Sequence, residues 1–378
     1  IYLPWAVWNL PIWALQRFAG LNILEHFWMV LYSKLFLLAA FFYVLYLTKR
    51  IALLLTPDRD EIRHTLFLGA TSFFTLSSLT YAGQNDVLVI IPFLLALYKL
   101  MQGHKKSFLC FSALSIALKP FFAFSFIALV LLKEKNLLKE LAYGCAGCIF
   151  LLLQKLLFHG APKYYESMHY GPMKDAFGLL LDSSLEFPPA GVSLFVLGLG
   201  VTWLLAYLYT PQKDSAEIYF ATAPLIVFFL FTRYESYRPF YLVPLLYLLM
   251  LQRPCYKRFH LLLEMASTGA LMAFYLMEDV LFFNPNYMLN LKDILHRGQT
   301  MHAPAIPEFL GALLPGFGFK AFTAVFVLCM SLFLILNYPG FHSKNEVLCK
   351  KEEPWLLTLR SVLFSVPPVL SLILRIKY

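Results

Sequence analysis

The feature that most limits what this chain can become is how rarely a charge interrupts it. Apolar runs near 27–48, 64–82, 86–101, 107–132, 140–158, 190–209, 218–232, 239–251, 259–277, 320–338 and 355–374 follow one another with short polar links between them. Runs of helical length with no polar face belong inside a membrane or a large core, not on a water-facing surface. Only 14% of residues are charged, against roughly 25% in soluble domains. Mean hydropathy is +0.67, and the chain is therefore expected to live in lipid. Soluble enzymes, fibres and disordered tails are excluded. The expected fold is all-α, a single polytopic transmembrane helical bundle over 1–378 with roughly 10–12 membrane segments.

The other compositional signals fit that setting. The 37 Phe, 22 Tyr and 6 Trp suggest interfacial belts and aromatic-lined cavities. A net charge of +9 is explained by basic loops facing an anionic cytoplasmic leaflet, and no nucleic acid is expected as a partner. The six cysteines are scattered and behave as small hydrophobes. Cys145 and Cys148 form a C-x-x-C within an apolar run without a second pair, and no metal or cofactor signature accompanies them. The lack of any Asn-x-Ser/Thr sequon points to a bacterial inner membrane. Residues 1–26, rich in Trp and Pro with apolar stretches too short to span, read as interfacial helices. The chain opens on Ile1 without a basic leader, so a further helix and outer loop are expected upstream.

Run 107–132 decides the topology, because Lys119-Pro120 interrupts it. Proline removes a backbone donor and disfavours helix at the residue before it. A single crossing there would leave positive charge evenly divided between the two sides. A hairpin reversing at Lys119-Pro120 instead puts loops 49–63, 102–106, 133–139, 210–217, 252–258 and 339–354 on one side with 16 Lys/Arg, against 7 on the other. The positive-inside rule selects the hairpin. Each arm is then about 12 residues, roughly 18 Å long, too short for a hydrocarbon core of about 30 Å. Lys119 should end inside the membrane or at its outer edge, lining a cavity. The 159–189 and 278–319 segments become outer loops.

Ionisable groups in apolar runs are functional candidates by default. Gln84, Asn85 and Asp86 sit in the outward turn Tyr81-Ala-Gly-Gln-Asn-Asp86. Asp86 can cap the next helix, but three adjacent polar side chains also suit a sugar or a phosphate. Lys119 is either a snorkelling lysine or a buried ammonium seeking an anion such as a lipid phosphate. The turn Phe231-Thr-Arg-Tyr-Glu-Ser-Tyr-Arg-Pro-Phe240 holds Arg233, Tyr234, Glu235 and Arg238. Its arginines could clamp a phosphate or carboxylate, or simply anchor helix ends. His169, in the mixed polar loop 159–189, is a further substrate-binding candidate.

Taken in order, YAGQNDVLVIIPFLLALYKL, SALSIALKPFFAFSFIALVLL and FTRYESYRPFYLVPLLYLL resemble the multispanning glycosyltransferases of the GT-C superfamily. Many bacterial members carry a G-Q-x-D turn, an I-K-P break two helices on, and an Arg/Tyr turn before a P-L-L helix. The opening Ile1-Tyr-Leu-Pro-Trp is similar to the stretch after their first periplasmic acidic motif. The resemblance runs loosely over residues 1 to about 250 and best over 81–132. It implies transfer of a sugar from a polyprenyl-phosphate donor to a lipid-linked or cell-envelope glycan acceptor on the outer face of the membrane, with an Asp or Glu as general base. The family's usual base follows its first membrane helix, whereas no acidic residue precedes Glu25 here. That base is expected upstream of Ile1, or Asp86 or Glu235 serves instead. Cations at the leaving phosphate would come from Lys119, Arg233 and Arg238. A transporter or lipid flippase is the alternative reading, since broken helices with buried charges also mark transporters. Against it, the polar residues gather on one face and no inverted repeat is evident.

Overall fold

The computed structural model describes residues 2–20, 27–82, 86–161, 184–185, 192–210, 216–232, 238–278, 306–313, 320–340 and 354–377. Among these the chain is all-α apart from one antiparallel pair of two-residue strands, β1 (Ser184–Leu185) and β2 (Val192–Ser193). The helices are α1 (Tyr2–Ala19), α2 (Phe27–Leu55), α3 (Arg59–Ala70), α4 (Phe73–Leu76), α5 (Asp86–Met101), α6 (Lys105–Leu118), α7 (Phe122–Lys133), α8 (Leu137–Gly147) and α9 (Ile149–Leu157). They continue as α10 (Leu194–Leu208), α11 (Ala216–Phe231), α12 (Val243–Gln252), α13 (Lys257–Glu278), α14 (Ile306–Leu313), α15 (Lys320–Asn337) and α16 (Pro354–Lys377).

Among the described residues, four stretches are long and apolar enough to cross a membrane: Lys34–Leu55, Leu137–Leu157, Pro254–Met277 and Pro354–Leu374. That is fewer than the 10–12 membrane segments the sequence suggests. The apolar runs are cut by proline, glycine and turns into shorter helices, such as α6, α7 and α12 with 14, 12 and 10 residues. At about 1.5 Å per residue none of these three reaches across roughly 30 Å of hydrocarbon.

Helices α5, α11 and α12 form the centre. Nearly every residue of α11 and α12 is buried, as expected of helices apolar on all sides. Polar side chains tie the neighbours to them. Ser125 of α7 donates to Ala221 O of α11 at 2.7 Å, and Trp203 Nε1 of α10 donates to Phe124 O at 3.0 Å. In a helical assembly with so few polar side chains, such bonds and close packing fix which helices are neighbours. The least buried of the four stretches is Leu137–Leu157, with Leu137, Leu138, Leu141, Leu156 and Leu157 all strongly exposed. It packs closely on α7 at Gly147, where a Cβ would lie 2.4 Å from the Phe126 ring.

The break in run 107–132 is present. Lys119 is extended (φ −145°, ψ 107°), as a residue before proline should be, and α7 restarts at Phe122. A straight helix through both arms would separate its ends by about 40 Å. Instead Lys105, which starts α6, lies 4.0 Å from Glu134, just past the end of α7. The segment is a hairpin, as the charge pattern of the loops suggests.

Further contacts gather the basic loops at the same end. Arg50 donates to Tyr98 Oη at 2.7 Å, Lys133 pairs with Glu217, and Lys257 meets Glu61 at 3.0 Å. Lys135 closes the ends of α7 and α10 through Leu131 O, Ala206 O and Tyr207 O. Loops 49–63, 102–106, 133–139 and 252–258 thus share one end of the bundle with Glu217, while 211–215 lie outside the described residues. Most of 339–354 lies outside the described residues. At the other end, α1 is pinned to α2 by reciprocal bonds, Trp8 Nε1 to Tyr32 O at 3.1 Å and Tyr32 Oη to Trp8 O at 2.6 Å.

Candidate functional site

The end opposite the basic loops holds a small group of ionisable side chains. Asp86 is the first residue of α5, at the exit of a π-helical turn over Ser77–Ala82. Such turns are rare and recur at functional sites. The Pro120 break delivers Lys119 to the same place, with Nζ 3.6 Å from Asp86 Oδ1. The third member is Tyr241, within the 3-10 turn Arg238–Leu242, whose hydroxyl donates to the same Oδ1. Tyr241 is fully buried, and its ring meets Phe121 and Phe122 edge-on at 5.0 and 5.5 Å. The two residues after Pro120 therefore form the wall that orients Tyr241, while the residue before it supplies the ammonium.

The carboxylate is not fully engaged. Asp86 Oδ2 is buried and has no hydrogen-bond partner among the described residues. The same holds for Ser77 Oγ and Ser78 Oγ in the π-helical turn, and for Ser115 Oγ one turn before Lys119. A buried acceptor without a donor is costly, and polar groups left open in this way are where a substrate hydroxyl or an ordered water bonds. The Asp86 side chain is only 6% exposed, but that of Lys119 is 28% exposed, so the group has an accessible side.

Gln84, Asn85, His169, Arg233, Tyr234 and Glu235 fall outside the described residues. Arg238 is half-buried at the start of the 3-10 turn that carries Tyr241. The anion that a buried Lys119 requires is supplied within the chain by Asp86, where the sequence alone suggests an incoming phosphate. Tyr241 was missed because nothing in its sequence context separates it from its neighbours Tyr237 and Phe240.

A second buried charge cluster was also missed. Arg360 of α16, 1% exposed, forms a fork–fork pair with Glu264 of α13: Nε to Oε2 at 2.9 Å and Nη2 to Oε1 at 2.8 Å. Its remaining donors reach Tyr247 Oη at 2.9 Å, Leu68 O at 2.8 Å and Thr71 Oγ1 at 2.8 Å. Tyr247 in turn donates to Glu264. The rule that flags Lys119, a charge inside an apolar run, applies equally to Arg360 and Glu264. Unlike Asp86, both carboxylate oxygens and all three guanidinium nitrogens here are occupied. The closed cluster therefore fastens helices together, and the open one is the candidate for chemistry.

Metal ions have no cage among the described residues, where no group of three His, Cys, Asp or Glu converges. No family model, characterised protein sequence or solved structure matches this chain.

Proposed function

We propose that this chain is a membrane glycosyltransferase of the GT-C type, moving a sugar from a polyprenyl-phosphate donor to a lipid-linked or envelope glycan on the outer face of a bacterial inner membrane. The observation that carries the reading is the convergence of Asp86, Lys119 and Tyr241 from three distant segments, with one carboxylate oxygen left open, at the end of the bundle away from the basic loops. The sequence resemblance over 81–132 and 231–250 supports it independently, because the first two residues of the group fall in its G-Q-x-D-like and I-K-P-like motifs.

The arrangement fits the chemistry required. The acceptor hydroxyl oxygen attacks the anomeric carbon as the bond from that carbon to the phosphate oxygen breaks, and the phosphate leaves with the electron pair. Asp86 Oδ2 takes the hydroxyl proton, while Tyr241 holds Oδ1 and so fixes which oxygen faces the acceptor. Lys119, on a flexible stem and partly exposed, turns from Asp86 to the departing phosphate oxygens.

The test is sugar transfer from a defined polyprenyl-phosphate donor by the purified protein, with a thermal melt alongside. Loss of a well-placed donor typically costs about 2.7 to 4 kcal/mol of transition-state stabilisation, so Lys119→Ala should lose on the order of a hundredfold or more in rate. Lys119→Arg should recover part of it, because a planar guanidinium replaces a compact amine. Asp86→Asn should be more impaired still. Equal activity of all four proteins would sink the assignment, and parallel loss of activity and melting temperature would make the cluster structural.

A further inference from the structure

At the basic end of the bundle a cavity of about 150 Å³ lies between the last turn of α5, the start of α6, the end of α7 and helix α8. Its walls are largely apolar, with Phe108, Leu129 and Tyr143 among them, and its rim carries Lys105, Lys133 and Glu134. Lys133 is held by Glu217. Lys105 is not held in this way. It reaches Glu134 only at 4.0 Å, and its side chain is 62% exposed.

The start of α6 adds to this positive field. His104 makes no side-chain cap, and the first turn contains Lys105 and Lys106 with no acid. Negative charge is favoured at that position of a helix, and here two positive charges occupy it. Glu134 offsets Lys105 and Glu217 offsets Lys133, so the surplus positive charge comes from Lys106 and the start of α6; it favours an anion, and the walls favour hydrocarbon. Helix α8, which forms one wall, exposes Leu137, Leu138 and Leu141, an apolar outer surface of the kind that faces acyl chains. One class of ligand satisfies all three conditions.

We propose that this cavity is a binding site for an anionic phospholipid, with the phosphate against Lys105 and the start of α6 and an acyl chain along Phe108 and Leu129. Basic pockets between membrane helices recognise such headgroups through the same combination of charge and apolar wall. The site is at the far end of α5 from Asp86, about 24 Å away along a 16-residue helix, and does not depend on the proposed reaction.

The experiment measures melting of the purified full chain in non-ionic detergent with phosphatidylglycerol, phosphatidylcholine or inorganic phosphate. Phosphatidylglycerol at about a hundredfold over its Kd should raise the melting temperature by on the order of 5 °C. Phosphatidylcholine and phosphate should give much less. Lys105→Gln and the cavity-filling Leu109→Trp should abolish the difference, whereas Lys139→Gln, which removes the same charge outside the cavity, should keep it. Equal shifts from both lipids, an equal loss in Lys139→Gln, or a full shift from phosphate alone would overturn the proposal. If Leu109→Trp does not fold, native mass spectrometry decides. Lys105→Gln should retain one phosphatidylglycerol fewer than the wild type, and an equal number would refute the site.

Discussion

Tyr241 does two jobs that can be separated by one atom. Its ring packs on Phe121 and Phe122, and its hydroxyl holds Asp86 Oδ1. Tyr241→Phe keeps the first and deletes the second. A hydrogen bond to a charged group contributes about 1.5 to 3 kcal/mol. On the proposed mechanism, the loss should appear mainly as a fall in kcat, because the carboxylate can then rotate and offer either oxygen to the acceptor. Steady-state kinetics with a melt as control checks this; a kcat equal to wild type would show that Tyr241 only fills space. Arg360 and Glu264 behave differently, since each leaves the other charged and buried if removed. Breaking a buried pair from one side costs about 3 to 5 kcal/mol. Arg360→Met and Glu264→Gln should therefore each destabilise strongly, while the double variant should lose far less than the sum. Unfolding in detergent across that cycle measures the coupling, and simple additivity would contradict the cluster.

At the scale of elements, the α6–α7 hairpin makes a prediction that a straight helix does not. With native cysteines replaced, single cysteines at 106 and 139 should both react with an impermeant reagent from the same side of the membrane, because Lys105 and Glu134 meet. Labelling from opposite sides would refute the hairpin. This element was readable in advance because its signals are local: a proline after a lysine in an apolar run, and lysines counted in loops. Helix boundaries elsewhere were less legible. Apolar runs such as 64–82 and 140–158 read as continuous, yet the structure divides the first into α3, α4 and a π-helical turn, and the second at Cys148. Composition sees hydrophobicity, which both halves share, and not the capping by Ser72, whose Oγ accepts from Thr75 N–H and starts α4. Partners are the least legible of all. Asp86 and Tyr241 are 155 positions apart, and no pattern in either segment names the other.

At the scale of the whole molecule, the ion pairs at the basic end and the cluster at Asp86 give the bundle two chemically unlike ends. The contacts that join the chain from end to end lie between them. Arg360 reaches Leu68 O across 292 positions of sequence, so α16 is stitched onto α3. This has a consequence for biogenesis. Membrane helices leave the ribosome in order, and until α16 arrives Glu264 is a buried acid whose strongest partner has not been made. Burying a carboxylate without a cation is costly enough that α13 is expected to remain loosely seated until then. Seating of α13 is thus tied to the synthesis of α16. A chain that stops short of Arg360 should leave Glu264 buried without its cation and melt at a lower temperature than the full chain, which a thermal melt in detergent measures.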